Sequence, residues 1–300
     1  MNLHLLRIFF VVTEKNSFSR AAKALFISQP AVSKGVRELE HQLGLPLIER
    51  GVRGRSGVQL TESGQAIREH ARGIFALERA AINDIEARIN LDQGRLVVGA
   101  STTVAGYTLP PYVARFLQHH PLIELKVLVG NTRYISHHLI DCEVDLALVE
   151  GAVNHQRITS HKWKNDPLSI VVSKNCFLVG QKKISKSTLS EQVWIMREQG
   201  SGTRDVTEKI LSENKITPQK IIEIGSNEGV ARAVAGGIGV AMLPTIMVRD
   251  LIQLQQINVL SQDKFMHYSR DLYLLHVQER PLSPLVRQFT DFLKINYSHF

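Results

Sequence analysis

The sequence predicts an α/β protein in three parts: a small basic helical domain with a hairpin wing, one long helix, and a pair of α/β lobes. Three observations predict it. Up to Gly44 the apolar residues recur at helical intervals only. From Glu62 to Ile89 a single apolar stripe runs unbroken. From Arg95 onward short apolar runs alternate with amphipathic segments, the pattern of parallel βαβ units. A chain of 300 residues accommodates a small domain and a larger one with a sizeable core.

Leu3, Leu6, Phe9, Phe10 and Thr13 define a first helix over residues 3–15. In a second, Phe18–Leu25, Ala21, Ala22 and Leu25 share a face, and the two alanines let another helix cross closely. Ser28 restarts the helix by offering its hydroxyl to free N–H groups, Pro30 needs no N–H partner there, and Val32, Val36, Leu39 and Leu43 continue the stripe until Gly44. The pair reads as a helix-turn-helix. Gln29, Ser33, Lys34 and Arg37 are left outward, side chains that read base edges or hold phosphates.

Leu47–Arg50 and Val58–Leu60 read as short strands joined by the basic tip GVRGRSG, a wing able to reach along DNA. Thr61 caps the long helix, in which Ile67, Ala71, Ile74, Leu77, Ala81, Ile85 and Ile89 form the stripe. At about 1.5 Å per residue it spans on the order of 40 Å, more than a small domain needs, and self-association uses the surplus. Asn90–Gly94 reads as a hinge.

RLVVGA, IELKVLV and DLALVE read as buried strands separated by helices in GYTLPPYVARFLQHH and TRYISHHLIDC. A second set follows: strand LSIVVS, strand VWIMRE, helix TRDVTEKILSENK, strand IIEIG, helix NEGVARAVAGG and strand GVAMLP. DLYLLHV is a last strand and SPLVRQFTDFLKINY a closing helix. The join between lobes is expected near residues 163–168, with a return near 261–270.

Charge is concentrated near the start. Lys and Arg number 36 against 28 Asp and Glu, a net +8 with pI ≈ 9.5. Seven bases against three acids lie between Ser17 and Leu60, so half of the net charge falls in a seventh of the chain, which suits an anionic partner there. Cys142 and Cys176 are far apart and form no metal-site or redox spacing. FFVV is followed by Glu14 and Lys15 with no small-residue cleavage site, and eighteen unbroken apolar residues occur nowhere, so neither export nor a membrane span is expected and the cytoplasm is the expected location. The twelve histidines fall in no HExxH or triad context, and the glycines of GGIGVAMLP precede a strand instead of joining a strand to a helix. No enzyme, metal or cofactor is expected.

The ordered set SFSRAAKAL, SQPAVSKGVRELEHQLG, LIER and LTESG resembles the LysR-type transcriptional regulators, and the resemblance covers all 300 residues. It implies an N-terminal winged helix-turn-helix (1–61), a linker helix and hinge (62–93) that pairs two subunits through 62–89, and an effector domain (94–300). The last is implied to be two Rossmann-like lobes similar to periplasmic binding proteins, lobe I over about 94–165 and 267–300 and lobe II over about 166–266. GNTRYISHHL, DLALVEG, REQGSGTR and GSNEGVARAVAGGIGVAMLP are similar to the regulators of carbon fixation and of cysteine and sulfur metabolism. Assembly of dimers into tetramers and contact with RNA polymerase are further implications. The wing tip is longer than in many members, and Cys142 stands where a glycine is common.

Two sites are expected. On promoter DNA, Gln29 and Arg37 pair with adenine and guanine edges, Pro30 offers an apolar contact to a thymine methyl, and Ser33 lies on the same face. Arg20 and Lys34 hold phosphates, and Arg50, Arg53 and Arg55 serve the wing. Between the lobes, Ser101, Thr102 and Thr103 follow the first strand, while Ser201, Gly202, Thr203 and Arg204 open a helix and Asn227 opens another. Free N–H groups and helix dipoles there favour a small anion or carboxylated metabolite. Simple helix capping by these hydroxyls is the alternative, and it is the preferred reading of Asn131-Thr132. An acid at Glu150 would oppose a strongly anionic ligand. A regulator of another pathway with an aromatic or amino-acid-derived effector is the second functional reading.

Overall fold

The computed structural model describes residues 1–49, 57–89, 94–181, 184–260, 268–278 and 280–295. The chain divides into two compact units, Met1–Ile82 and Asn83–Phe300.

In the first unit, α1 (Leu3–Lys15), α2 (Phe18–Leu25) and α3 (Gln29–Leu43) close on a core of Leu6, Phe9, Val12, Ala21, Val32 and Leu39. Each start is capped by a side chain: Asn2, Ser17 and Ser28 accept from the N–H of His4, Arg20 and Ala31. Each end turns left-handed, at Asn16 (φ 50°), Phe26 (φ 55°) and Gly44 (φ 68°). Gly35 lets α1 approach, since a Cβ there would lie 2.8 Å from Ile8 Cδ1. Among the described residues the expected wing strands show one antiparallel bridge, Ile48 with Leu60, beside the Glu49 N–H donating to Gln59 at 2.9 Å; residues 50–56 are outside the described set. The buried Glu40 carboxylate fixes the wing base by accepting from the N–H groups of Leu47 (2.9 Å) and Ile48 (3.2 Å).

Thr61 caps α4 (Glu62–Ile89), its hydroxyl accepting from Gly64 N–H at 3.0 Å. Ala71 and Phe75 from the first turns of α4 join the helical core, and Arg7 stacks 4.4 Å from the Phe75 ring while pairing with Glu78. Farther along the helix, Leu77 and Ile85 of the stripe and the neighbouring Ile82 are exposed.

The second unit begins with β1 (Gly94–Ser101), a wide turn of π geometry at Val104–Thr108, α5 (Pro110–His119), β2 (Ile123–Gly130), α6 (Thr132–Ile140) and β3 (Leu146–Glu150). β1 pairs in parallel with both β2 and β3, as the βαβαβ pattern requires. The helix expected from Gly106 starts at Pro110, because the π turn occupies the residues before it. β4 (Ile158–Ser173) follows, then α7 (Lys186–Ser190), β5 (Val193–Met196), α8 (Gly202–Glu213), β6 (Lys220–Glu223), α9 (Asn227–Ala235), β7 (Ala241–Pro244), α10 (Thr245–Gln253), β8 (Ile257–Val259), β9 (Tyr268–Val277) and α11 (Pro284–Lys294).

The strand expected as LSIVVS is the tail of β4, which starts ten residues earlier. Its first half, ITSHKWKND, is polar and bears a bulge between Lys162 and Lys164, so no apolar run announced it. α7, α10 and β8 were likewise unannounced. β4 and β9 run antiparallel over Ile158–Leu168 and Tyr268–Val277 and carry the chain between two α/β lobes. One lobe has strand order β2-β1-β3-β9-β4. In the other the end of β4 pairs with β7 and β8, and β5 pairs with β6. Phe116, Phe289 and Phe292 pack edge-on between α5 and α11, contacts worth about 0.5–1.5 kcal/mol each beyond burial. Trp194, fully buried, anchors the second lobe and donates to the Leu189 carbonyl at 2.8 Å.

Phe26 is 95 % exposed and left-handed, a conformation that costs a bulky residue roughly 1 kcal/mol and that asparagine adopts readily. Phe26→Asn is therefore expected to raise the melting temperature of the first unit in a thermal scan. A lowered value would show that the ring makes stabilising contacts.

Candidate functional site

The first site lies on α3. Burial of Val32, Gly35, Val36 and Leu39 fixes which face is outward, and Gln29, Pro30, Lys34 and Arg37 are exposed on it with Ser33 half-buried. Gln29 Nε2 donates to Ser33 Oγ at 3.1 Å, so the two polar groups one turn apart form a unit presenting amide and hydroxyl together. Arg20 is exposed on α2. Arg50, Arg53 and Arg55 lie outside the described residues. Arg7 is occupied by Phe75 and Glu78.

The second site forms where the two lobes and their connecting strands meet. Thr103 is wholly buried after β1 and Thr203 nearly so in the first turn of α8. Both hydroxyls accept from one guanidinium, Arg270 at the start of β9: Nη1 to Thr203 at 2.7 Å and Nη2 to Thr103 at 3.3 Å. Arg270 Nε also donates to Asp166 Oδ2 at 2.8 Å, across the β4–β9 ladder where the two residues are register partners. Glu150, ending β3, places Oε1 3.5 Å from Nη2. Glu150 Oε2 in turn accepts from the Thr132 hydroxyl at 3.2 Å.

A second guanidinium sits beside it. Arg197, just after β5, donates through Nη1 to Thr102 (3.0 Å) and to Asn227 Oδ1 (2.7 Å), while Asn227 Nδ2 donates to Thr103 at 2.8 Å. Glu198 grips Arg197 with both oxygens, at 2.7 and 2.9 Å, and accepts from Asn131 of the opposite lobe at 3.1 Å. The backbones also touch: the Arg133 N–H donates to the Gly200 carbonyl, and a Cβ on Gly202 would lie 2.5 Å from the Glu150 carbonyl oxygen. Across the junction Tyr107 packs on the cluster of Val230, Val234 and Met247.

The hydroxyl positions Thr102, Thr103 and Thr203 and the amide of Asn227 thus converge. Ser101 acts as a cap, accepting from Val104 N–H at 3.4 Å, and Ser201 is buried at the start of α8. Arg204 is not among the converging groups. Its guanidinium is taken up by Glu208 (2.7 Å), Glu223 (2.5 Å) and the Arg197 carbonyl (3.0 Å), which braces the backbone beneath Arg197. Sequence reasoning missed Arg197, Arg270 and Asp166. Their signal was a charged residue touching an apolar strand in VWIMR, RDLYLL and DPLSIVV, which reads as a solvated end unless its partner is known.

Burial pushes the Asp166 carboxyl above its ordinary value against the pull of Arg270, and the charge of Glu150 adds to the push. At Glu198 burial also acts upward, but hydrogen bonds from Arg197 and Asn131 outweigh it and hold the carboxyl below its ordinary value. Among the described residues no cluster of three His, Cys, Asp or Glu could hold a metal, and no helix is long and apolar enough to cross a membrane.

Arg270→Met leaves Asp166 and Glu150 buried without their cation, at an expected cost of about 3–5 kcal/mol. Without Arg270 the Asp166 carboxyl rises further, so the folded variant takes up a proton on acidification that the unfolded chain does not. The deficit in melting temperature should shrink as pH falls from neutrality toward the raised carboxyl value; an undiminished deficit contradicts the pairing.

Residues 90–297 match the LysR substrate binding domain, and residues 3–65 match the bacterial regulatory helix-turn-helix protein, lysR family. The chain is 32% identical over 304 residues to the HTH-type transcriptional regulator CysL of Bacillus subtilis, covering 99% of this chain and 98% of CysL. To the RuBisCO operon transcriptional regulator of Allochromatium vinosum it is 31% identical, over 98% of this chain and 95% of that protein. Among solved structures, the regulatory domain of CcmR from Synechocystis PCC6803, in complex with 2-PG, superposes with a TM-score of 0.62. It is 28% identical and covers 67% of this chain and 96% of that domain.

Proposed function

We propose, from the premise that this chain belongs to the LysR family of transcriptional regulators, that a small anionic metabolite held between its lobes modulates how it binds promoter DNA. The chain is a DNA-binding regulator and not an enzyme. One observation carries the effector reading: hydroxyls from the two lobes, Thr103 and Thr203, meet on one buried guanidinium, Arg270. A guanidinium flanked by hydroxyls and helix N-termini has the donor set that recognises an oxyanion. The complex of the related CcmR domain with 2-PG supports the same class.

In this reading Thr102, Thr103, Thr203, Asn227, Arg197 and Arg270 contact the effector, with Ser101, Ser201 and Gly202 shaping the helix ends. On DNA, Gln29, Pro30, Ser33 and Arg37 read bases, Arg20 and Lys34 hold phosphates, and Arg50, Arg53 and Arg55 belong to the wing over residues 1–61. Residues 62–93 link that domain to the effector domain, 94–300. The exposed Leu77, Ile82 and Ile85 on α4 support pairing of two subunits through 62–89, which presents two reading helices about one DNA turn apart or a multiple of it. Dimers pair further into tetramers, and the protein works in the cytoplasm.

The test is a DNA titration at fixed salt, using a duplex selected by the full chain from a random library. Gln29→Ala is expected to cost about 1–3 kcal/mol on that duplex and little on random DNA. Addition of 2-PG is expected to change the affinity of the unaltered protein and leave Thr203→Val unmoved. Equal loss on both DNAs contradicts base reading by Gln29; a full response in Thr203→Val contradicts the effector site.

A further inference from the structure

The effector junction carries more negative charge than an anion site needs. Two guanidinium groups, Arg197 and Arg270, are set against three carboxylates, Glu150, Asp166 and Glu198. Glu198 lies on the rim and is absorbed by Arg197 and Asn131. Glu150 and Asp166 are 3 % and 5 % exposed, and both contact the guanidinium that Thr103 and Thr203 share. A fully ionised oxyanion placed on Arg270 therefore meets two buried carboxylates at close range, where Coulomb repulsion is weakly screened.

One proton removes the conflict. Placed between a carboxylate oxygen and an oxygen of the ligand, it turns a repulsive contact into a charge-assisted O–H···O hydrogen bond. We propose that Glu150 and Asp166 make the junction select oxyanions that carry or readily take up a proton, inorganic phosphate or a phosphate monoester, over sulfate, which carries none. This rests on the reading that the effector binds between Thr103 and Thr203. Inorganic phosphate keeps a proton on its dianion at neutrality, and a phosphate monoester takes one up near pH 6. Sulfate has no such proton, and one must first be placed on the acid pair.

The surroundings of the pair fit this role. Asp166 is faced by Arg270 from β9 and by Glu150 from the end of β3; the other groups turned toward Glu150 and Arg270, Thr132 from α6 and Thr203 from α8, are neutral. No second cation faces Asp166 among these contacts. Burial and the charge of Glu150 already hold the Asp166 carboxyl above its ordinary value, so beside the two carboxylates' shared guanidinium it is Asp166 that holds a shared proton most readily. If the two acids only neutralised Arg270, their removal would alter affinity for phosphate and sulfate alike.

The experiment is calorimetric titration of the full chain with inorganic phosphate, 2-PG and sulfate at about pH 7.5 and about pH 6. Phosphate and 2-PG are expected to bind at least about tenfold more tightly than sulfate at the higher pH, the scale of one unmade buried hydrogen bond. The affinity for 2-PG should rise at the lower pH, as its phosphate takes up the second proton. Asp166→Asn, whose amide can donate to a fully ionised ligand, should strengthen sulfate binding and close most of the gap. Glu150→Gln provides the same readout if Asp166→Asn does not fold, with a thermal scan checking each. Equal affinity for sulfate and phosphate in the unaltered protein, or a gap unchanged in every variant that folds, overturns the proposal. Phosphate binding that persists in Thr203→Val contradicts the location of the site, and failure of all three anions to bind contradicts the anion reading on which the proposal rests.

Discussion

Burying the Arg270 guanidinium is the constraint on which the effector unit depends. A cation withdrawn from water must have its charge balanced and its N–H groups satisfied, or the cost is several kcal/mol. Arg270 meets the demand with Asp166 from β4, Glu150 from β3, Thr103 after β1 and Thr203 of α8. Those partners come from both lobes and from a strand that connects them. Arg270 is therefore one of the contacts that fix the relative placement of the lobes, and a ligand that competes for that side chain acts on both lobes at once.

The same junction shows how a regulator of this kind can be specific. The Arg197–Asn227–Thr103 chain and the Arg270–Thr103–Thr203 chain share a hydroxyl, so an oxyanion bound at Thr103, as proposed, would disturb both guanidinium groups. Close backbone packing at Gly202 leaves little room for adjustment there. Packed interfaces of this type switch between discrete arrangements instead of deforming smoothly. The proposed DNA-reading helix is equally defined: α3 is held by its Ser28 cap, its buried Gly35 contact with α1 and its terminal Gly44, so the Gln29–Ser33 pair is presented on a rigid support.

The helical parts were legible because their signals are local. Caps at Ser28 and Thr61, the stop at Gly44 and the apolar stripes all act within a turn or two of chain. Even the departure at Cys142 was readable: it occupies a left-handed position (φ 55°) of the kind glycine favours. The first half of β4 escaped because a connecting strand is polar where it meets solvent and the cleft. Arg270 escaped for a different reason. Its partners Asp166 and Thr103 lie 104 and 167 residues away in the chain, and nothing local distinguishes a buried guanidinium from a solvated one. That Thr102, Thr103 and Thr203 lie where the lobes meet was legible because they follow a strand or open a helix, the places where α/β lobes face their crevice.

The claim that Arg270 joins the two lobes is tested most directly by a double-mutant cycle of thermal or denaturant stability with Thr103→Val and Thr203→Val. If both hydroxyls act through one guanidinium, the two losses are non-additive by about 1 kcal/mol, and the coupling vanishes when the cycle is repeated with Arg270→Met. Strict additivity in the protein that retains Arg270, or coupling that survives its removal, would contradict the account.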